Sequence, residues 1–99
     1  MLQAHIYFDK DDLKGTEPLR KFLMHFLLEN KVAGATSFMG YSGFGAHQKL
    51  KLPSRQFSFD ERPMVITFID EEEKVIKVLK KLREQYRGGL IITHKIETW

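Results

Sequence analysis

Residues 63–70, PMVITFID, are apolar at both alternating sets of positions, with Met64, Ile66 and Phe68 on one side and Val65, Thr67 and Ile69 on the other. A strand of this kind is covered on both faces, so it predicts a sheet strand inside a fold rather than at its surface. On its C-terminal side, Asp70 and Glu73 form a capping-box-like helix start with Glu71 and Glu72 in the first turn. Lys80, Lys81, Arg83 and Arg87 crowd the last turns, in accord with the helix dipole. Val75, Val78, Leu79, Leu82 and Tyr86 form the stripe to be buried. Gly88 and Gly89 stop the helix, and LIITHKI predicts a final strand.

On the N-terminal side, residues 46–62 show no helix period, and Pro53 argues against an uninterrupted central strand, which predicts a long hairpin-like excursion. Before it, ATSFM reads as a strand running into Gly40, Gly43 and Gly45, with Gly34 releasing the chain from the preceding turn. Further upstream, Thr16 is the predicted N-cap of a helix that has Glu17 and Pro18 in its first turn and runs to about Asn30. Leu19, Phe22, Leu23, Phe26 and Leu27 supply its apolar stripe. LQAHIYF alternates Leu2, Ala4, Ile6 and Phe8 with Gln3, His5 and Tyr7, a first strand that the charges of DKDD end.

The order βαββαβ predicts an α+β ferredoxin-like sandwich, a four-stranded antiparallel sheet with two helices on one face, as a single domain over residues 1–99. One sheet face then has no cover. It would carry His5, Tyr7, part of LIIT and either Val65 with Ile69 or Met64 with Phe68, more apolar surface than a soluble monomer shows. We expect other subunits to bury it.

Composition narrows the class. The chain has 99 residues, 42% of them apolar, enough for one modest core. It has no cysteine, which excludes a disulfide framework and a thiolate metal site. No stretch approaches the roughly 20 apolar residues of a membrane span, and the N-terminus has no signal-peptide pattern, so a cytoplasmic protein is expected. The formal charge of +3 is far below the basic excess of a dedicated nucleic-acid binder, and no nucleic-acid partner is expected.

Four groups of residues carry chemistry. The glycines of 40–45 either expose successive backbone N–H groups to an anion or make a bulge at Gly40 and positive-φ turns at Gly43 and Gly45. No Lys-Ser/Thr follows them, so this is not a P-loop. Lys49, Lys51 and Arg55, interleaved with Leu50, Leu52, Phe57 and Phe59, make an amphipathic arm that either docks on a partner or forms an ordinary hairpin with one wet face. His5 and His94 fall on neighbouring first and last strands, where packing is the commoner role of histidine and a metal lacks a third ligand. His25 reads as a helix-surface residue, and Asp9, Asp11 and Asp12 as solvated charge in an exposed turn.

HIYFDKDDLKGTEPL (5–19), AGATSFMGYSGFGA (33–46) and RPMVITFID (62–70) together resemble an uncharacterised bacterial family of PII-like proteins, some of them linked to genes of CrcB-type fluoride channels. The glycine-rich stretch is more distantly similar to the segment of PII signalling proteins that enters their T-loop. The resemblance implies a non-enzymatic homotrimer that binds a small effector, an adenine nucleotide or a small anion, in intersubunit clefts. It implies a ligand site at Thr36, Gly43, Phe44, Gly45, His47, Gly88 and Gly89, with Lys49, Lys51, Arg55 and Phe57 on a loop offered to a partner such as a membrane transport protein. It implies neither catalytic residues nor a resident metal. The chain departs from PII in having Leu90, not lysine, directly after Gly88 and Gly89, and one extra residue between Gly34 and Gly43. Two other functions fit the architecture. An RNA-binding sheet would use Tyr7 and Phe68 as stacking aromatics but lacks the RNP pattern. A CutA-like metal-tolerance protein would need ligands that the sequence does not assemble.

Overall fold

The alternation of the first seven strand residues is realised as β1 (Leu2–Asp9), with Leu2, Ala4, Ile6 and Phe8 buried and Tyr7 outward. The computed structural model describes residues 1–44 and 62–99; the excursion at 46–62 lies outside the described residues except for Arg62. After β1 come two short strands, β2 (Leu13–Lys14) and β3 (Glu17–Pro18), then α1 (Leu19–Glu29), β4 (Gly34–Met39), β5 (Pro63–Asp70), α2 (Glu72–Gln85) and β6 (Leu90–Lys95). The main sheet has the order β4-β5-β1-β6 with every neighbouring pair antiparallel. This is the ferredoxin-like arrangement, with each helix crossing over one intervening strand.

Register decides which residues meet the helices. Phe8 pairs with Met64, Ile6 with Ile66 and Ala4 with Phe68, so these six side chains share one face. They pack with Leu19, Leu23, Phe26 and Leu27 of α1 and Val75, Val78 and Leu82 of α2 into one buried cluster. The other side of β5, Val65, Thr67 and Ile69, is only half-buried. It joins His5 and Tyr7 on the open face, so among the described residues nothing supplies the second cover expected for β5.

Three local expectations are corrected. Thr16 does not cap α1: Gly15, at φ +64, and Thr16 turn the hairpin between β2 and β3, and the helix starts after Pro18 with no side-chain cap. The free N–H of Leu19 is instead taken by the carbonyl of Asp12 at 2.8 Å. Gly34 does not release the chain after α1; it lies in β4, and Lys31 takes the left-handed position at φ 58. The third correction concerns α2. Its N-cap is Glu71, without a side-chain cap bond, so the Asp70–Glu73 capping box is absent. Asp70 instead bridges two segments, accepting from the N–H of Glu71 at 2.7 Å and of Ala33 at 2.9 Å. Removing that carboxylate strands both donors. Asp70→Ala is therefore expected to cost about 1–2 kcal/mol, read as a lower urea midpoint at unchanged m.

Candidate functional site

β4 and β5 keep a one-to-one register from Gly34↔Ile69 to Met39↔Met64, and Gly40 continues it by donating its N–H to the Pro63 carbonyl at 2.7 Å. The bulge expected at Gly40 is therefore not formed. A Cβ on Gly40 would lie 2.8 Å from Pro63 Cγ, and one on Gly43 would lie 3.2 Å from the same atom. Both glycines let the chain fold closely over the proline ring. The positive φ expected at Gly43 is absent, since among the described glycines only Gly15 and Gly89 have it. Tyr41 and Phe44 flank this turn with their rings in solvent.

The second glycine turn is built by the end of α2. Tyr86 leaves the helix in an extended conformation, and Arg83 Nη1 donates to the Gly88 carbonyl at 2.7 Å and the Tyr86 carbonyl at 3.3 Å. The same guanidinium lies 5.8 Å from the centre of the Tyr86 ring. Burial raises the Tyr86 phenol above its ordinary pKa; Asp12 adds to this, Arg83 opposes it and Asp9 contributes least. Gly89 sits at φ +67, where a Cβ would lie 2.5 Å from the Tyr86 hydroxyl and 2.7 Å from the Tyr7 carbonyl. Arg83, Tyr86 and Pro63 were not singled out as site residues from the sequence. Only the i, i+3 spacing of Arg83 and Tyr86, which puts both on one side of a helix, hints at their partnership. Arg83→Met is expected to cost about 1–2 kcal/mol by releasing two carbonyls, measured by chemical denaturation.

The two glycine turns share one end of the sheet, because Met39 pairs with Met64, Pro63 with Asp9, and Tyr7 with Leu90. They stand at its opposite edges, three strand spacings or about 14 Å apart. One subunit therefore does not bring Gly43 and Phe44 to Gly88 and Gly89. Thr36 is further off, opposite Thr67 on the open face, about four residues or 13 Å along β4 from Gly40. It borders a shallow recess with Met1, Ala33 and Ile69. Gly45, His47, Lys49, Lys51, Arg55 and Phe57 lie outside the described residues.

The open face between the edges is apolar. Tyr7, Phe38, Leu90 and Ile92 are 41%, 55%, 60% and 43% exposed on it. Phe68 is 1% exposed and turned to the core, so the aromatic pair that an RNA-stacking sheet would use is not formed. His5 and His94 do meet, Nε2 to Nε2 at 3.0 Å, while His25 is exposed on α1. Among the described residues no group of three or more His, Cys, Asp or Glu side chains is placed to hold a metal, and no helix is long and apolar enough to cross a membrane. The acidic turn is tied together locally, Asp12 Oδ2 accepting from the N–H of Asp9 at 3.0 Å.

Known proteins share this architecture. CPII from Thiomonas intermedia K12, a nitrogen regulatory PII-like protein bound to ADP, AMP and bicarbonate, superposes with a TM-score of 0.70 at 19% identity, over 99% of this chain and 93% of that one. CutA from Pyrococcus horikoshii superposes with a TM-score of 0.64 at 15% identity, over 100% and 87% of the two chains. In sequence, a UPF0166 protein of Methanocaldococcus jannaschii is 32% identical over 88 residues, 88% of this chain and 81% of that protein. A UPF0166 protein of Aquifex aeolicus (strain VF5) is 27% identical over 92 residues, 93% of this chain and 87% of that protein. The family model DUF190, described as Uncharacterized ACR, matches residues 1–98, and with its PII-like ferredoxin fold the chain belongs to that family.

Proposed function

We propose that this chain is a non-enzymatic PII-like regulator: a homotrimer that binds a small anionic effector in the clefts between subunits and presents residues 46–62 to a partner. The observation that carries the reading is the placement of the two glycine turns at one end of the sheet and on opposite edges. A head-to-tail ring sets the β4 edge of one copy beside the β6 edge of the next, so each cleft receives one turn from each copy. The same ring covers the apolar open face, which gives β5 its second cover. The effector is an adenine nucleotide or a small anion, a class supported by the ADP, AMP and bicarbonate of the structurally similar CPII. Lys49, Lys51, Arg55 and Phe57 would meet the partner, for which a membrane transport protein is the candidate. An effector controls that contact only by binding one arrangement of the segment better than another, which assigns the coupling to its base at Gly43, Phe44, Gly45 and His47.

Thermal shift with ADP, AMP and bicarbonate, each tested separately, checks the proposal on the wild type and on a variant carrying aspartate on the open face, Ile92→Asp. A ligand at 100 times its Kd stabilises the protein that binds it by about 2.7 kcal/mol. At least one of the three is expected to raise the midpoint of the wild type and leave the variant unmoved. An equal shift in both would place the site within one subunit and sink the cleft reading, and no shift with any of them would sink the effector class.

A further inference from the structure

The contact between His5 and His94 has a geometry that decides what it holds. The Nε2 atoms are 3.0 Å apart, the ring planes differ by 12°, and the ring centroids are 5.1 Å apart. The centroid separation exceeds the nitrogen separation by almost two ring radii, so the rings lie edge to edge with their Nε2 atoms pointing at each other. Lone pairs aimed at one another hold a proton on the line between them. A common metal would need them to converge on a third point. One imidazole therefore donates an N–H to the other; a first further proton goes to the outer Nδ1 of the donor ring and leaves that bond in place, and a second, on the acceptor ring, turns two N–H groups face to face.

The pair stands on the open face of β1 and β6, diagonal across the Gln3↔His94 and His5↔Ile92 register. The other titratable or charged groups around it are few. Tyr7 follows His5 on β1 with ring centroids 6.3 Å apart. Asp9 ends that strand, about 13 Å further along. Beyond His94 come Lys95 and Glu97, and the Met1 carbonyl accepts from the N–H of Ile96, which brings the chain's amino end to this corner. α2 contributes Glu72 and Lys80 to the groove beside β6 that His94 also borders. β4 and β5 place only uncharged side chains on this face. Among the described residues no carboxylate of the sheet face is positioned to neutralise a proton that the pair takes up.

We infer that the His5–His94 pair is an acid-sensitive latch of the subunit assembly: neutral and hydrogen-bonded it fits beneath a second copy, a first proton charges the covered face, and a second breaks the pair. The inference rests on the assembly proposed above. Burial, and after it the charge of His94, already lowers the pKa of His5. That shift already belongs to the separate subunit; cover by a second copy removes further water from the pair and disfavours its charged form again, so the contribution to assembly is present while the pair is neutral and is lost as falling pH charges it.

Two measurements on the full chain test it together: histidine ring NMR between pH 8 and 5, and solution mass over the same range, for the wild type and for His5→Gln. The wild type is expected to show a coupled two-step titration and an association weakened at least about tenfold between pH 7 and 5.5. His5→Gln should abolish the coupled behaviour and leave an assembly that persists at pH 5.5. Independent titration of the two rings in a stable trimer would overturn the latch alone, as would a wild type and variant that dissociate together. A monomer at pH 8 would overturn the assembly, and the latch with it, even if the rings still titrate as a pair.

Discussion

Ile92→Asp is expected to reduce the protein to monomers while leaving its secondary structure intact. Ile92 sits opposite His5 on the open face, midway along the edge strand β6, 43% exposed in a single subunit. In water an aspartate there meets no clash, and a surface substitution of that kind changes folding stability by about 0.5 kcal/mol or less. Beneath another copy it becomes a buried carboxylate without a cationic partner, which costs several kcal/mol at each interface. A loss of about 3–4 kcal/mol weakens association several-hundredfold. Light scattering reads the mass and far-UV circular dichroism the fold. A variant that keeps the wild-type mass would show that this face is not the one covered.

Gly89→Val is expected to be the most destabilising single change among the glycines described. The residue combines φ +67 with a Cβ position 2.7 Å from the Tyr7 carbonyl, and that carbonyl belongs to a strand held on both sides. The Tyr86 hydroxyl, 2.5 Å from the same position, is at the end of a side chain and can give way; the β1 backbone cannot without disturbing the sheet. Left-handed strain and overlap together should cost about 3–4 kcal/mol. That corresponds to a fall in Tm of about 12–30 °C for a chain of this size. Gly88→Ala is the control, because the nearest atoms to its Cβ belong to the Tyr86 side chain, at 3.0 Å, and its φ is not positive. If Gly89→Val costs no more than Gly88→Ala, the close approach to Tyr7 is not rigid.

What was legible beforehand was local and periodic. The two-residue alternation of β1 and β5 and the three- and four-residue spacing of both helices depend on which side chains must be buried, and those segments appear where the pattern puts them. The missed features depend on contacts that no short window contains. Asp70 reads as a helix cap until Ala33, 37 residues away, claims one of its oxygens. Thr16 reads as an N-cap until a two-residue hairpin uses it as a turn and the Asp12 carbonyl takes the helix donor instead. Gly40 reads as a bulge glycine and Gly43 as a turn glycine, yet their need is for space over Pro63, a partner twenty or more residues along the chain. The site is legible only in part for the same reason. Its two glycine turns are visible as punctuation, but strand order alone reveals that they occupy opposite edges, and Arg83 stays hidden because its role is to hold two backbone carbonyls.

The account stands on the closed ring, and solution mass tests that most directly. Light scattering on the wild-type chain at pH 8 should return three times the 11.6 kDa of one chain. A mass of one chain at the same pH would leave the apolar face uncovered and the two glycine turns apart, and would contradict the regulator proposed here.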